Sequence, residues 1–488
     1  MPLRVLVLLL AAAALAGPAR ADGGYFSGTK GARAAGRAGA FTARADDLSA
    51  VWLNPAGLAR IDQTLIQLGN RFSYNASAFT RAPTLDWGNL EGGIPPYVEF
   101  AEVENDEPWQ ALEPLLGVAS NLGLSDFGFA LALRAPAGVG RLAFPVDGGT
   151  RYQMVERHAR ILDYTASAAW KRGDLFGVGV SLQWIHVPLL RYELVIDATP
   201  FPGDVHPVTS ELDMLATVKG HDPFTFNAIV GAWYRPLPSL ELAISGQLIP
   251  TRIHTRSTLQ IEPLSPEIDE QVELRRDGEP ADDVRLSLPL PLSARVGIRY
   301  RHLRGATEIF DVELDLVYES WSRVDRFAVD GDGLVANLFA QRVDVGSIEI
   351  DKQWRDTIGV HLGGDHVLVT QLLTLRGGLF YESGAADRRF AHVDFAAGEQ
   401  FGATLGASVF LLGAELAVAY EHRRQPTVVV NEGEARVYQA APGSQCEQPF
   451  TDPDLCHPQF LGRPGAPVNA GSYLAHTHAL SVDVLYRF

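Results

Sequence analysis

The stretch Phe310–Tyr318, FDVELDLVY, alternates apolar side chains with others that are mostly acidic. The apolar set is Phe310, Val312, Leu314, Leu316 and Tyr318, and the acidic set is Asp311, Glu313 and Asp315. Successive side chains of a β-strand point to opposite faces, so the segment predicts a strand with one apolar and one anionic face. In a membrane barrel, the apolar face contacts lipid and the polar face lines the lumen.

The same alternation recurs along the chain, in Phe127–Arg134, Ala294–Tyr300, Leu373–Glu382 and Leu480–Phe488. We expect short turns at Asn121–Ser125, Lys171–Asp174, Pro236–Ser239, Leu303–Ala306, Asp365–Thr370 and Leu412–Gly413. Longer polar connections are expected at 80–113, 137–150, 193–222, 252–285, 326–349, 384–398 and 431–472. Bacterial barrels alternate short periplasmic turns with long outer loops, so the sequence predicts an all-β transmembrane antiparallel β-barrel of about 14 strands.

Aromatic residues fall near the ends of many of these predicted strands. They are Trp170, Phe176, Tyr234, Tyr300, Trp321, Trp354, Tyr381, Tyr420 and Tyr486. Tyrosine and tryptophan concentrate at both membrane–water interfaces. Together these residues predict aromatic girdles around the barrel.

The first residues have the pattern of an export signal. Arg4 precedes the apolar run Val5–Ala16, and Ala19-Arg20-Ala21 fits a small-x-small cleavage site. We expect a signal peptide over residues 1–21, a mature chain from Asp22 and a bacterial outer-membrane location. The net charge of −17 argues against a nucleic-acid partner. The sequence contains no phosphate-binding loop and no Gly-x-Ser-x-Gly elbow, so we expect neither a cofactor nor an enzyme.

The candidate metal sites are weak. Cys446 and Cys456, the chain's two cysteines, lie in a Pro- and Gly-rich segment. A disulfide is expected there in an exported protein, and zinc is the less favoured alternative. His476 and His478 lack an evident third ligand, and Asp330–Gly333 lacks the terminal Glu of a calcium loop. No metal is therefore expected.

The N-terminal residues 22–61 differ from the rest of the chain, being rich in Gly and Ala and without strand alternation. A segment with so little apolar surface needs a surrounding wall, so we expect it to form a plug, or hatch, inside the lumen. Residues 62–488 would form the barrel and its long extracellular loops. A disordered exported tail is the alternative for the N-terminal segment.

Several motifs resemble those of the FadL-type transporters of long-chain fatty acids and other hydrophobic compounds. Asn54-Pro55-Ala56 resembles the family's hatch signature, and Gly36-Arg37-Ala38-Gly39 and Asp46-Asp47 also match the hatch pattern. Leu288–Arg301, Asp311–Asp325 and the segment from Trp354 through Thr374-Leu375-Arg376-Gly377-Gly378 resemble its strands. The final Phe488 resembles a signal for the barrel-assembly machinery.

This resemblance implies a 14-stranded barrel, closed by the hatch, that passively takes up long-chain fatty acids or hydrocarbons. Cargo would land in an outer apolar groove, pass beside the hatch and leave sideways through a kink in the third strand. The kink maps to Arg134–Gly140, with Ala135, Pro136, Ala137 and Gly138 as its centre. An ordinary strand end is the alternative. We expect a monomer whose other partners are outer-membrane lipid and lipopolysaccharide.

A carboxylate cargo would need a cation in the lumen. Alternation directs six arginines inward: Arg71, Arg134, Arg295, Arg299, Arg355 and Arg376. Arg295 and Arg299 are expected to form a salt-bridged network with the acids of Phe310–Tyr318. Arg134 and Arg376 are the candidate head-group contacts. A non-transporting surface barrel, acting as an adhesin or structural protein through its loops, is the alternative function, and a barrel-borne lipid hydrolase is a third.

Overall fold

The computed structural model describes residues 31–85, 96–136, 140–197, 212–268, 272–338, 341–345, 347–395, 397–439 and 467–488. Three predictions fall wholly or partly outside these residues. They are the signal peptide over 1–21, the disulfide between Cys446 and Cys456, and the kink residues Ala137 and Gly138.

The described residues form a closed barrel of 14 antiparallel strands, several of which are interrupted and continue in a second piece. The strands are β1 (Leu65–Arg81), β2 (Trp109–Ser120), β3 (Phe127–Arg134 and Arg141–Ala143), β4 (Glu156–Arg172), β5 (Phe176–Asp197), β6 (Asp213–Leu237), β7 (Leu240–Gln247 and Arg252–Pro263), β8 (Asp283–Pro289 and Ser293–Arg304), β9 (Thr307–Glu319 and Arg326–Asp330), β10 (Ser347–Asp351 and Thr357–Val369), β11 (Leu373–Glu382), β12 (Gln400–Leu411), β13 (Ala414–Val430) and β14 (Gly471–Arg487). Each strand pairs with the next, and β1 closes the barrel against β14 from Leu65↔Arg487 to Arg81↔Gly471.

Shorter strands lie in the loops. They are Thr84–Leu85, Tyr97–Val98, Val103–Glu104, and the four strands of a separate small sheet, Glu273–Arg276, Glu279–Pro280, Leu334–Leu338 and Gln341–Asp344. The strands of the wall join through short turns at the end that also holds Phe488, whose backbone pairs with Thr64. We assign this end to the periplasm, because periplasmic turns are the short ones. The predicted turn Asp365–Thr370 is wrong in extent, because β10 runs to Val369 and the turn is Thr370–Leu372.

Several of the predicted long loops are wrong in part; 137–150 and 326–349, for example, contain the second pieces of β3 and β9. Regions 193–222 and 252–285 contain the outer ends of β5 and β6, the second piece of β7 and the start of β8. Polar residues made these regions look like loops. The inward-facing apolar residues of these regions nevertheless pack into one cluster, and this packing allows the strands to continue. The buried members of the cluster include Leu194, Met214, Val218, Leu259, Ile261 and Val284.

The N-terminal segment, residues 31–61, contains the helices α1 (Ala32–Ala35) and α2 (Ala50–Leu53) and a 3₁₀ helix over Pro55–Arg60. Arg44, Asp46 and Arg60 are partly exposed and the other residues of this segment are buried. The segment packs against inward-facing side chains of the wall, including Leu65, Leu115, Ala132 and Leu485. Among the described residues, no helix is long and apolar enough to cross a membrane.

The girdle prediction is wrong for two residues. Trp170, Tyr234, Tyr420 and Tyr486 are exposed on the outer surface, whereas Trp321 and Trp354 are 0% and 5% exposed. Trp321 and Trp354 pack edge to face, with ring centroids 5.3 Å apart, because both lie in loop segments that turn into the barrel. They belong to its interior.

Candidate functional site

Arg37 anchors the N-terminal segment to the wall. Its guanidinium is fully buried and contacts three carboxylates: Asp311 at 2.7 Å, Asp365 at 2.7 Å and Glu313 at 3.0 Å. These acids belong to β9 and β10, so one arginine of the segment joins two strands. Charged groups this deeply buried are tolerated only when they are paired, which makes the contact specific.

The backbone of the N-terminal segment is also held by acids of β9. The N–H groups of Phe41 and Thr42 each donate to Asp315 Oδ2 at 3.0 Å, and the Ala43 N–H donates to Glu313 Oε1 at 2.6 Å. The anionic face of FDVELDLVY therefore binds the segment, where the sequence predicted an anionic lumen lining. Three backbone N–H groups of the segment thus share the carboxyl groups of Glu313 and Asp315.

The signature Asn54-Pro55-Ala56 is a helix start that is fixed to the wall. Asn54 Oδ1 accepts from the Ala56 N–H at 3.2 Å and caps the 3₁₀ helix, while Asn54 Nδ2 donates to the carbonyl oxygens of Thr42 (2.8 Å) and Ala232 (3.2 Å). Pro55 suits the first helical position because no N–H is needed there. The motif thus links two parts of the N-terminal segment to β6.

Glycines of the wall make room for this segment. A Cβ at Gly231 would lie 2.1 Å from Asn54 Oδ1, and one at Gly363 would lie 2.2 Å from the Arg37 carbonyl oxygen. Gly378, in the motif Thr374–Gly378, likewise faces the backbone of Arg37 and Ala38. The glycine-rich strand motifs and the N-terminal motifs therefore fit each other.

The third strand consists of two pieces, which are separated by residues 135–140. Its first piece ends at Arg134, opposite Asp163 of β4, and its second piece begins at Arg141, opposite His158. Between them the Ala135 N–H bonds to Pro114 O on β2, and the Ala159 N–H bonds to Gly140 O. Pro136, which has no N–H to donate, lies in this interval. Both pieces pair with β4, so the strand continues on either side of residues 135–140, an interval that we call the gap in β3.

A buried apolar cluster lies on the lumen side of this break. Ala159 and Ile161 of β4, at the level of the gap, are 6% and 3% exposed and belong to it. The cluster continues to aromatic residues from the loops, and its other main members are Ile185, Val187, Leu190, Ile253, Leu286, Leu290, Trp321, Phe327 and Trp354. It provides apolar contact from the extracellular end to the gap in β3.

Arg134 lies where this cluster meets the N-terminal segment. Its Nε is 3.0 Å from Asp163 Oδ2, and its guanidinium stacks 4.8 Å from the ring centre of Trp52. Arg295 is close enough for its charge to act on Arg134. Among the described residues, Arg295 Nη1 and Asp163 Oδ1 are buried without a hydrogen-bond partner. This unfilled hydrogen-bonding capacity marks a polar spot in an otherwise apolar region.

The other candidate cations are engaged within the protein. Arg376 contacts Asp365 at 3.0 Å and Glu415 at 3.3 Å, and Arg71 pairs with Glu113 at 2.8 Å. Arg299 bonds to acids of β7 and β9. The inward prediction is wrong for Arg355, which is half exposed and pairs with Asp387, because it lies in a loop outside the alternating strand.

The loop 383–399 is tied down at the extracellular end by buried charges. Lys352 Nζ lies 2.7 Å from Asp394 Oδ2, and His392 Nδ1 lies 3.0 Å from Asp394 Oδ1. Burial alone would raise the pKa of Asp394, but the charges of His392 and Lys352 hold it well below its usual range. Burial lowers the pKa of His392.

Beside this loop a cavity of about 750 Å³ opens between residues 384–399 and the upper parts of β13 and β14. Phe395, Val393, Val428 and Tyr473 line it with apolar surface. Its polar residues include three half-exposed arginines, Arg355, Arg388 and Arg389. The cavity is large enough for a drug-sized molecule.

Sequence reasoning missed Asp163, Ile161 and the inward-turned aromatic residues. Asp163 and Ile161 occupy inward positions of β4, so strict alternation through Glu156–Arg172 could have identified them. Trp321 and Trp354 lie in irregular segments, for which alternation gives no direction.

Comparison with known proteins agrees with this architecture. Residues 12–445 match the family profile "Outer membrane protein transport protein (OMPP1/FadL/TodX)". No curated protein sequence is similar enough to match the chain.

Solved structures share the fold at low sequence identity. A Pseudomonas aeruginosa FadL homologue has a TM-score of 0.72 at 16% identity, covering 95% of this chain and 100% of its own. The Ralstonia pickettii toluene transporter TbuX has a TM-score of 0.56 at 13% identity, covering 95% of this chain and 99% of its own. The CymD monoaromatic hydrocarbon channel has a TM-score of 0.57 at 13% identity, covering 94% of this chain and 97% of its own. The family profile matches most of the sequence, so this chain belongs to the outer-membrane transport protein family that includes FadL and TodX.

Proposed function

We propose that this member of a family of outer-membrane channels for hydrophobic compounds takes up long-chain fatty acids. Cargo would be captured at the extracellular end, pass through the apolar cluster above the N-terminal segment and leave sideways at the break in β3. No energy source is required, because the driving force is the transfer of apolar surface from water to protein and then to lipid.

One observation carries this proposal: a buried apolar cluster reaches from the loops to the interrupted strand. A water-filled pore would not help an alkyl chain, since each Å² of apolar surface in water costs about 25 cal/mol. The N-terminal segment, held by Arg37 and Asn54, blocks the axial route through the described lumen. The gap beside Ala159 and Ile161 then offers a lateral route. Since the cluster is packed, side chains must move aside as cargo passes.

The pair Arg134 and Arg295 favours a carboxylate cargo over a plain hydrocarbon. Both cations lie near the gap, and Arg295 Nη1 lacks a protein acceptor. A carboxylate placed between them would satisfy this donor with charge-assisted hydrogen bonds. A hydrocarbon would leave the donor unsatisfied.

The cavity beside loop 383–399 is a suitable capture site. It combines an apolar inner wall with half-exposed arginines at the extracellular end. An amphipathic acid can bind there weakly enough to be released inward.

The first test is uptake of radiolabelled oleate and of toluene by cells with and without the gene, at matched barrel expression. Gene-dependent uptake of oleate alone is the expected result. Uptake of toluene alone would make the cargo an uncharged hydrocarbon, and uptake of neither would contradict the proposal for both cargos.

A second test replaces Arg134 and Arg295 together by Gln, with Lys171→Gln at the periplasmic turn as the control. We expect oleate binding to the purified barrel to weaken by about tenfold or more, since about one charge-assisted hydrogen bond is lost. Toluene binding should not change. Unchanged oleate binding would remove these arginines from the proposal.

A further inference from the structure

Four basic side chains form a patch on β13 and β14. His422 is the cross-strand partner of His478, and Arg424 is the partner of His476. The rings of His422 and His478 stack with centroids 4.6 Å apart, and those of His476 and His478 are 5.5 Å apart. The Tyr420 hydroxyl lies 2.6 Å from His478 Nδ1. We call these four residues the histidine patch.

The histidine patch is on the outer surface of the barrel. Along β14, the residues in step with His476 and His478 are Leu480, Val484 and Tyr486, all more than 40% exposed. The residues between them, such as Ser481 and Asp483, are buried in the lumen. Because side chains alternate along a strand, the patch faces the membrane side.

The height of the patch follows from the strand geometry. His476 is ten residues from Tyr486 near the periplasmic turns, or about 33 Å along the strand. At a tilt of about 40°, this gives about 25 Å along the membrane normal, the height of the apolar band of such barrels. Tyr74, opposite His478, and Trp109, with ring centroids 4.9 Å apart, suit the interface at the same level. The patch therefore lies where the apolar layer meets the outer head groups.

Its electrostatic surroundings leave the patch cationic. The outward residues of β12, β14 and β1 below it carry no carboxylate in the described chain. Glu399, which accepts from the Tyr381 hydroxyl, and Glu104, opposite Ala78, lie above it. Tyr74 and Tyr420 are the other titratable groups beside it.

We propose that the histidine patch binds a phosphate group of the outer-leaflet glycolipid, the lipid A portion of lipopolysaccharide. Arg424 supplies a permanent charge and a planar donor pair that suits phosphate. The imidazole N–H groups of the three histidines add further hydrogen-bond donors. A metal ion is the poorer occupant, because no metal-holding group of three residues occurs in the described chain.

The test measures binding of the full-length barrel, in detergent, to lipid A with its phosphates and to dephosphorylated lipid A. We expect a preference of about tenfold for the phosphorylated form, the contribution of about one charge-assisted hydrogen bond. The variant His422→Gln/Arg424→Gln/His476→Gln/His478→Gln should lose this preference. His302→Gln, exposed near a periplasmic turn, should retain it.

Two results would overturn the proposal: no preference for phosphorylated lipid A, or zinc binding that requires the histidines. A competition experiment with inorganic phosphate distinguishes the lipid from the free anion. If millimolar phosphate displaces lipid A completely, the site recognises free phosphate and the lipid assignment is wrong. A heat-dependent shift of the variant on an SDS gel, equal to that of the parent protein, shows that it folds.

Discussion

At the residue scale, the stability of the N-terminal segment depends on Arg37. Replacing Arg37 by Ala leaves Asp311, Glu313 and Asp365 without their shared cation in a buried site. We expect the free energy of unfolding, measured by urea titration in detergent, to fall by about 3–5 kcal/mol. Arg388→Ala, which breaks an exposed pair with Glu434, should cost less than about 1 kcal/mol. If the two variants lose the same free energy of unfolding, the buried network contributes no more to stability than an exposed ion pair.

A second residue-scale prediction concerns the pair Lys352 and Asp394. The change Lys352→Met leaves a buried carboxylate with less compensation, so loop 383–399 should open more often. Trypsin cleavage after Arg388 and Arg389 should then accelerate by roughly a hundredfold, as for a loss of about 3 kcal/mol.

The double variant Lys352→Met/Asp394→Asn removes both charges and should recover part of that protection. Arg326→Met, which breaks an exposed pair with Glu349, is the control and should leave cleavage unchanged. Cleavage of Lys352→Met at the parental rate would rule out this tether.

At the scale of one element, the interrupted β3 and its neighbour β4 define the proposed exit. Ile161→Gln places a polar amide in the apolar cluster at the gap while nearly preserving side-chain volume. We expect uptake of oleate to fall about tenfold, because an amide raises the cost of passage by about 1–3 kcal/mol. Ile161→Leu should leave uptake within about twofold, since such swaps are tolerated. If both variants transport equally, cargo does not pass this point.

At the scale of the whole molecule, the N-terminal segment and the wall have opposite charge excess. Deleting residues 31–61 removes Arg33, Arg37, Arg44 and Arg60 and leaves an acid-rich lumen; the exposed carboxylates are Asp311, Glu313, Asp315, Asp365, Glu415 and Asp483. The barrel should still close, because each strand pairs only with its neighbours. In planar bilayers, we expect a permanently open pore that conducts cations in preference to anions.

The control for that deletion is the same variant carrying Asp311→Asn and Asp315→Asn. Its conductance should stay high while its cation preference falls. A deletion variant with no measurable conductance would mean that other residues close the lumen.

Much of the barrel was predictable because alternation is local. FDVELDLVY alone distinguishes the two faces of β9, and repetition of its pattern gives the strand number and the short turns. The burial of residues 31–61 against the wall has the same local origin, since Gly- and Ala-rich residues with little apolar surface need a wall around them. Their role as a hatch stays a prediction.

The tertiary structure decided which partner each polar residue has. No sequence pattern pairs Arg37 with Asp365, or turns Trp321 and Trp354 inward, because these contacts join segments far apart in the chain. The outer ends of β5 to β8 became strands because their apolar faces meet in one cluster. The sequence by itself thus determined the period of the strands and their two faces, which depend on neighbouring residues. Only the folded chain determined the lumen contacts, because they depend on which strands the closed barrel brings together.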